Sequence, residues 1–283
     1  MNITISGDIG AGKSTLGSML ADRLGFELVD CGQLYRELVA EKGNTVLEQY
    51  RGSGKTIDEQ VDEAILDMCR DDVSRIYISR TAWHLVPNAV NIYLSVNPYI
   101  GARRVLNRKF AGENFSDINE AVRLNRERQE LEDKRYFELY SITREQQMKS
   151  VSIYVFVGEQ SPAAVCNAII SAISSPKPVY LFDPKSAFPT TNSGLTLRTL
   201  FDTRSGIDPS PYVKMPVRLQ LTDGYIYILD GHTQVIAACF EHVSFVAAES
   251  VQYSANYEAP DIDYSDWESM TGYLLPYIHH GDL

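Results

Sequence analysis

The chain has 283 residues, an apolar fraction of 44% and a charged fraction of 22%, values that are typical of folded domains and exclude a disordered or fibrous protein. No apolar run approaches the roughly 20 residues that a membrane-spanning helix needs, so we expect no membrane partner and a cytoplasmic location. The formal net charge of −11 argues against a long basic surface for duplex nucleic acid, but it leaves a modified base open as a substrate.

Strands and helices alternate along the first 173 residues. Short apolar runs predict buried strands at 2–6, 26–29, 75–79, 91–96 and 151–157. Amphipathic or capped segments predict helices at 13–24, 33–42, 57–70, 116–139 and 161–173. This alternation predicts an α/β fold with a parallel sheet flanked by helices.

A change of composition follows at residues 174–178. Their sequence, Ser-Ser-Pro-Lys-Pro, favours extended and exposed chain, so we predict two domains that cover residues 1–174 and 179–283. Residues 217–240 predict a hairpin that turns at Asp223-Gly224, followed by a helix that begins near Gly231. The second part is therefore predicted to be a smaller α+β domain.

Residues 7–14 carry the clearest chemical signal, because they match G-x-x-x-x-G-K-[ST] between a predicted strand and a predicted helix. Such a P-loop wraps backbone N–H groups around phosphate oxygens, while its lysine adds a cation and its hydroxyl holds Mg²⁺. The predicted cofactors are ATP and Mg²⁺, with Mg²⁺ held by Ser14. The predicted nucleotide-binding residues are Gly7, Asp8, Gly10, Ala11, Gly12, Lys13, Ser14 and Thr15.

The loop alone leaves the acceptor open, because ATPases, switches and kinases share it. A basic cluster at Arg103, Arg104, Arg108 and Lys109 suits the phosphates of a small anionic substrate.

Three later segments resemble the cytidylate kinase group of nucleoside monophosphate kinases. They read VDCGQLYREL at 29–38, SRTAWHLVP at 79–87 and NRERQELEDKRYFELYSI at 125–142. The resemblance implies a CMP-like or dCMP-like acceptor that is contacted by Asp30, Arg36 and Arg80. It also implies a lid helix whose cations Arg126, Arg128 and Arg135 surround the transferred phosphoryl group; we count Lys13, Asp30, Arg80, Arg128 and Arg135 as the catalytic candidates.

Asp30 supports more than one interpretation. It is a general base if the acceptor is an alcohol, an orienting group if the acceptor is a phosphate, and a helix cap if it has no catalytic role. The alternatives to a nucleotide kinase are a kinase of a hydroxyl group on a modified nucleoside, nucleic acid base or small metabolite, and a nucleotide-gated binding protein.

Residues 223–238, DGYIYILDGHTQVIAA, resemble the ParB and sulfiredoxin-like fold, in which a strand runs into a glycine turn and a helix. The resemblance implies a nucleotide phosphate site at Asp230, Gly231 and His232. A glycine turn at the start of a helix suits an anion, and His232 is expected to titrate near neutrality. The alternative is a structural turn whose aspartate caps the helix.

Overall fold

The computed structural model describes residues 1–41, 55–108, 115–190, 207–222, 224–254 and 257–258. The strands in chain order are β1 (Ile3–Gly7), β2 (Glu27–Asp30), β3 (Arg75–Ile78), β4 (Val90–Ser95), β5 (Ile153–Phe156), β6 (Val179–Phe182), β7 (Ala187–Pro189), β8 (Arg218–Thr222), β9 (Tyr225–Asp230), β10 (Val246–Ala248) and β11 (Ser250–Tyr253). The α-helices are α1 (Lys13–Leu24), α2 (Cys31–Glu41), α3 (Lys55–Met68), α4 (Ala82–Leu85), α5 (Pro98–Arg108), α6 (Ile118–Tyr140), α7 (Arg144–Ser150), α8 (Pro162–Ala172) and α9 (His232–Phe240).

The larger sheet contains seven strands in the order β10-β6-β5-β4-β1-β3-β2. All neighbours in it are parallel except β10, which runs antiparallel to β6. The strands predicted in the first 157 residues are each found within one or two residues of their expected bounds. The prediction of a mostly parallel α/β sheet with flanking helices is confirmed.

The two faces of this sheet bury different partners, because successive side chains of a strand point to opposite sides. On one face, Ile92 and Leu94 of β4 join the core formed with α1 and α8. On the other face, Tyr93 of β4 and Phe156 of β5 join Phe182 and the side chains of the second sheet. The carboxyl-terminal part therefore covers one face of the central strands.

The second sheet contains β11-β8-β9-β7, in which β8 and β9 form the predicted antiparallel hairpin. Helix α9 follows β9 directly, with Gly231 at its amino terminus in the left-handed region at φ 98°. The predicted helix start is confirmed.

The hydrogen-bonded sheet does not stop at the predicted boundary of residues 174–178. Strand β6 follows that segment and pairs with β5 in parallel, while β10 extends the same sheet from further along the chain. The division into two domains stays a prediction, but the large sheet takes strands from both predicted parts. No helix in the described ranges is long and apolar enough to cross a membrane.

Candidate active site

The phosphate loop joins the end of β1 to the first turn of α1. Gly10 has φ +81°, and a Cβ added there would lie 2.3 Å from the carbonyl oxygen of Gly101, so the loop packs closely against α5. Gly12 has φ +91° at the start of α1, and a Cβ there would meet nothing within 4 Å. A left-handed backbone beside open space is the geometry that a phosphate-binding turn requires.

Lys13 folds back across this loop. Its Nζ donates hydrogen bonds to the carbonyl oxygens of Gly7 and Asp8 at 2.8 and 2.7 Å. Burial, together with the positive charge of Arg80, lowers the pKa of the Lys13 ammonium from 10.5 to about 7. The ammonium is therefore held at the loop by neutral carbonyl groups.

Ser14 and Asp30 place two oxygen donors side by side at the end of the loop. Ser14 Oγ donates to Asp30 Oδ2 at 2.7 Å, and Asp30 Oδ1 accepts from the backbone N–H of Gln33 at 2.9 Å. Asp30 thus also caps helix α2, as the structural alternative predicted. No cluster of three or more potential metal ligands occurs among the described residues. One hydroxyl and one carboxylate suit Mg²⁺, which keeps several waters and takes its remaining ligands from phosphates.

A cavity of about 160 Å³, which we call the first cavity, extends from the loop to the carboxyl ends of β2 and β3. Among the described residues, the cations that line it are Lys13, Arg80, Arg104 and Arg128. The carboxylates that line it are Asp30, Asp58 and Asp62. The cations of the loop and those of the predicted acceptor side therefore share one space.

Glu132 of helix α6 contacts Arg80, which follows β3 closely along the chain. Its buried carboxylate pairs with Arg80 and accepts from Arg128 Nε at 3.1 Å. Arg80 and Arg128 thus meet beside the first cavity, while the roles that the resemblance implies for them stay predictions. A carboxylate between two guanidinium groups offsets their repulsion and holds both in place.

Arg135 lies deeper than the other two cations and does not line the first cavity. It is buried, and its Nη1 lies 2.6 Å from Asp58 Oδ2 and 3.0 Å from the hydroxyl of Tyr35. Both partners do line the cavity. Arg135 therefore contacts two residues that line the first cavity without lining it itself.

Asp58 and Asp62 are site residues that we did not predict. Thr81 Oγ1 donates to Asp62 at 2.7 Å, the hydroxyl of Tyr140 also donates to Asp62, and burial raises the pKa of both carboxyl groups. A signal was present, because the two aspartates lie four residues apart on the stripe of α3 that also carries the buried Val61 and Ile65. Carboxylates within an apolar stripe indicate partners inside the protein.

Two predicted residues lie elsewhere. Arg126 and the carboxylate of Asp8 line a second cavity on the other side of the loop. The carboxylate of Asp8 accepts from Tyr93, Ser95 and Val96, and Asp8 does not line the first cavity, where Ser14 lies.

The remaining predicted basic residues either lie outside the described side chains or make contacts within the protein. Arg36 belongs to α2, but its side chain lies outside the described residues, as do Lys109 and the side chain of Arg108. Arg104 donates to the carbonyl oxygen of Gly158 at 2.7 Å, whereas Arg103 pairs with Glu159.

The candidate site in the carboxyl-terminal part is held by internal bonds. Asp230 pairs with Arg218 at 3.0 Å, and His232 Nε2 accepts from the backbone N–H of Thr190 at 3.0 Å. Burial lowers the pKa of His232 from 6.5 to about 4, so the expected titration near neutrality is wrong. Asp230 does not cap the helix, because no side chain caps it.

The fold and the loop together define a P-loop phosphotransferase. A family model described as the cytidylate kinase-like family matches residues 2–148, which is more than half of the chain. The chain therefore belongs to the cytidylate kinase-like family, and the prediction of an ATP-dependent kinase is confirmed.

Proteins named cytidylate kinase are similar to this chain. The cytidylate kinase of Archaeoglobus fulgidus is 32% identical over 145 residues, which span 50% of this chain and 78% of that protein. The cytidylate kinase of Pyrobaculum arsenaticum is 34% identical over 170 residues, which span 59% of this chain and 88% of that protein. A solved shikimate kinase from Acinetobacter baumannii, in complex with shikimate, aligns at 17% identity with a TM-score of 0.41, over 61% of this chain and 92% of that one.

Proposed function

We propose that this protein transfers the γ-phosphoryl group of ATP to a nucleoside monophosphate, with CMP or dCMP as the preferred acceptor. The observation that carries the proposal is the first cavity, in which Lys13 of the phosphate loop faces the same space as Arg80 and Arg128. Transfer between two anions needs several cations around the migrating group. The similarity to proteins named cytidylate kinase supports the choice of base.

Each group of residues in the first cavity has its own role in the proposed reaction. Lys13 and the N–H groups of the loop hold the donor phosphates, and Ser14 with Asp30 would hold Mg²⁺, which neutralises phosphate charge when bound. Arg80 and Arg128 bind the acceptor phosphate and the transferred group through their guanidinium forks. An acceptor phosphate oxygen forms the new bond to the γ-phosphorus while the bond to the bridging oxygen of ADP breaks.

An assay of ADP release with CMP, dCMP, UMP, AMP and GMP tests this proposal. We expect the highest kcat/KM with CMP or dCMP, and a loss of at least about 100-fold in Lys13→Ala because a single phosphate clamp is worth several kcal/mol. Lys177→Ala is the matched control, since it removes an exposed lysine far from the loop in sequence. If the protein binds an ATP analogue but forms no ADP with any monophosphate, the nucleotide-kinase proposal is wrong.

Asp30 supports a second candidate, a kinase that phosphorylates a hydroxyl group. Its carboxylate lines the first cavity and lies 2.7 Å from Ser14 Oγ, where it is able to accept a substrate proton. This candidate predicts that Asp30→Asn abolishes turnover without weakening ATP binding. A near-parental rate in that variant, measured with the best acceptor, would contradict it.

For the carboxyl-terminal part we keep the ParB and sulfiredoxin-like resemblance as a proposal. The strand, glycine turn and helix over Tyr225–Phe240 support it. Asp230, Gly231 and His232 remain the candidate phosphate site there. Titration of Lys13→Ala protein with ATP would reveal this second site as residual binding that Gly231→Ala removes; no residual binding would count against it.

A further inference from the structure

The second cavity has a volume of about 320 Å³ and lies beside the phosphate loop. One face of α6, helix α7 and the carboxyl end of β4 form most of its walls. Leu221 and Tyr253 of the second sheet, with Gly224 between β8 and β9, also line it. The family match ends at residue 148, so this last wall lies outside the matched segment. The cavity is therefore built partly from a region that the family model does not describe.

The floor of the second cavity is a closed hydrogen-bond network around Asp8. Its carboxylate accepts from Tyr93 Oη and Ser95 Oγ at 2.7 Å each, from Val96 N at 3.0 Å, and from Arg144 Nη2 at 3.1 Å. Arg144 Nη2 also lies 2.8 Å from Tyr93 Oη. The positive charge of Arg144 is matched by Asp8, so the floor presents a fixed and nearly neutral polar surface.

The wall formed by α6 has charges that this network does not use. Arg126, Glu130 and Asp133 lie four and three residues apart and thus share one face of the helix. The exposed side chains of Arg126 and Glu130 make no hydrogen bond or ion pair with the described part of the chain, whereas Asp133 Oδ2 lies 3.9 Å from Arg144 Nη1. One guanidinium and up to two carboxylates therefore face the cavity with unused capacity.

The balance of charge selects the ligand. Two guanidinium groups, Arg126 and Arg144, stand against three carboxylates, Asp8, Glu130 and Asp133, so a dianionic nucleotide phosphate is repelled while a neutral zwitterion is accommodated. Arg126 and Glu130 are separated by about 6 Å along the helix axis, which a short molecule spans. Val122, Met148 and Leu221 supply apolar contacts for its body.

We propose that the second cavity is a binding site for a small zwitterion with one carboxylate and one ammonium group, the chemistry of a free amino acid or a dipeptide. Arg126 binds the carboxylate, and Glu130 with Asp133 binds the ammonium. This site is distinct from the acceptor position in the first cavity and does not depend on the identity of the acceptor.

Calorimetry on the full chain, saturated with an unhydrolysable ATP analogue, tests the proposal with the twenty free amino acids, β-alanine, γ-aminobutyrate and glycyl dipeptides as probes. At least one probe should bind with a Kd of about 1 mM or tighter. Its N-acetyl and carboxamide derivatives should each bind at least about tenfold more weakly, because each removes one charge. Comparison of free amino acids with dipeptides identifies the source of the zwitterion.

Variants place the bound probe in the second cavity. Arg126→Gln and Glu130→Gln should each weaken binding about tenfold or more, while Arg123→Gln should not. Arg123 is the matched control because it lies on the same helix, is exposed, and pairs with Glu127 at 3.7 Å outside the cavity. Unchanged melting temperatures establish that the variants fold.

Several results would overturn the proposal. They are the absence of saturable binding by any probe at about 10 mM, equal binding of the N-acetyl derivative, and full affinity in both Arg126→Gln and Glu130→Gln. Competition by CMP would also overturn it, because it would place the probe in the first cavity.

Discussion

Raising the pH from about 7.5 to about 9 should weaken the binding of ATP to this protein. In the ligand-free state, burial and the charge of Arg80 lower the pKa of Lys13 to about 7, so its amine is largely neutral in this range. A neutral amine does not attract phosphate, and binding must first restore the proton. Each pH unit above 7 then costs about 1.4 kcal/mol, which amounts to a loss of affinity of about 30-fold over this interval.

The lowered pKa of Lys13 gives the free energy of unfolding the opposite dependence on pH. The native state disfavours the charged lysine, so the penalty on the free energy of unfolding is fully present below pH 7 and disappears as the pH rises towards 10.5. Stability from this group alone therefore increases with pH while nucleotide affinity decreases. A loss of affinity at high pH is therefore not explained by unfolding, because this group makes the folded state more stable as the pH rises.

Titration calorimetry with an unhydrolysable ATP analogue and Mg²⁺, in buffers of different ionisation enthalpy, measures both affinity and proton uptake. A phosphate ester has its second pKa near 6, so the nucleotide itself scarcely titrates in this range. We expect uptake of nearly one proton at the alkaline end. Lys13→Arg should show a flat profile, because arginine stays charged. A flat profile without proton uptake in the parent protein would refute the reasoning.

Three further predictions concern the framework of the site. Gly10→Ala should abolish ATP binding, because its Cβ would lie 2.3 Å from a backbone carbonyl. Gly12→Ala, whose Cβ would meet nothing within 4 Å, should lower the free energy of unfolding by only about 1–3 kcal/mol; calorimetry measures the first effect and urea unfolding the second. Arg135→Gln should lower the free energy of unfolding by about 3–5 kcal/mol, since it leaves Asp58 buried without its 2.6 Å partner; a change below about 1 kcal/mol in urea unfolding would contradict this. A fragment of residues 1–174 should lack a cooperative thermal transition, because it loses β6 and the sheet that covers β4 and β5; a sharp calorimetric transition would contradict this.

Local patterns in the sequence predicted the strands of the first 157 residues and the longer helices, but they missed α5, α7 and β6 and did not predict which strands are neighbours. The segment Val179–Phe182 follows a proline-containing stretch that favours a linker, yet it forms the next parallel strand beside β5. Val246–Ala248, more than sixty residues later, continues the same sheet. Strand pairing of this kind depends on contacts that are distant in sequence, which periodicity does not report.

The site was predictable where a motif fixes the backbone. The positions of Lys13 and Ser14 follow from the strand, glycine loop and helix, and the meeting of Arg80 with Arg128 agrees with the family resemblance. The placement of Arg126 and Arg128 in different cavities could also have been predicted from the sequence, because residues two apart on a helix point to different faces. Since only Arg128 lines the first cavity, helix geometry would have assigned Arg126 to another surface.

The side-chain contacts of Asp8 could not be derived from the motif. The motif leaves position 8 free, since the loop uses only its main chain there, and the carbonyl oxygen of Asp8 indeed accepts from Lys13 Nζ at 2.7 Å. The identity of the side chain is determined by the opposite side of the loop, where Arg144 lies mostly buried between Asp8 and Tyr93. An apolar residue at position 8 would leave that guanidinium only the more distant carboxylate of Asp133, at 3.9 Å, among the described residues, at a cost of several kcal/mol. A single residue thus holds Lys13 through its backbone and anchors the second cavity through its side chain.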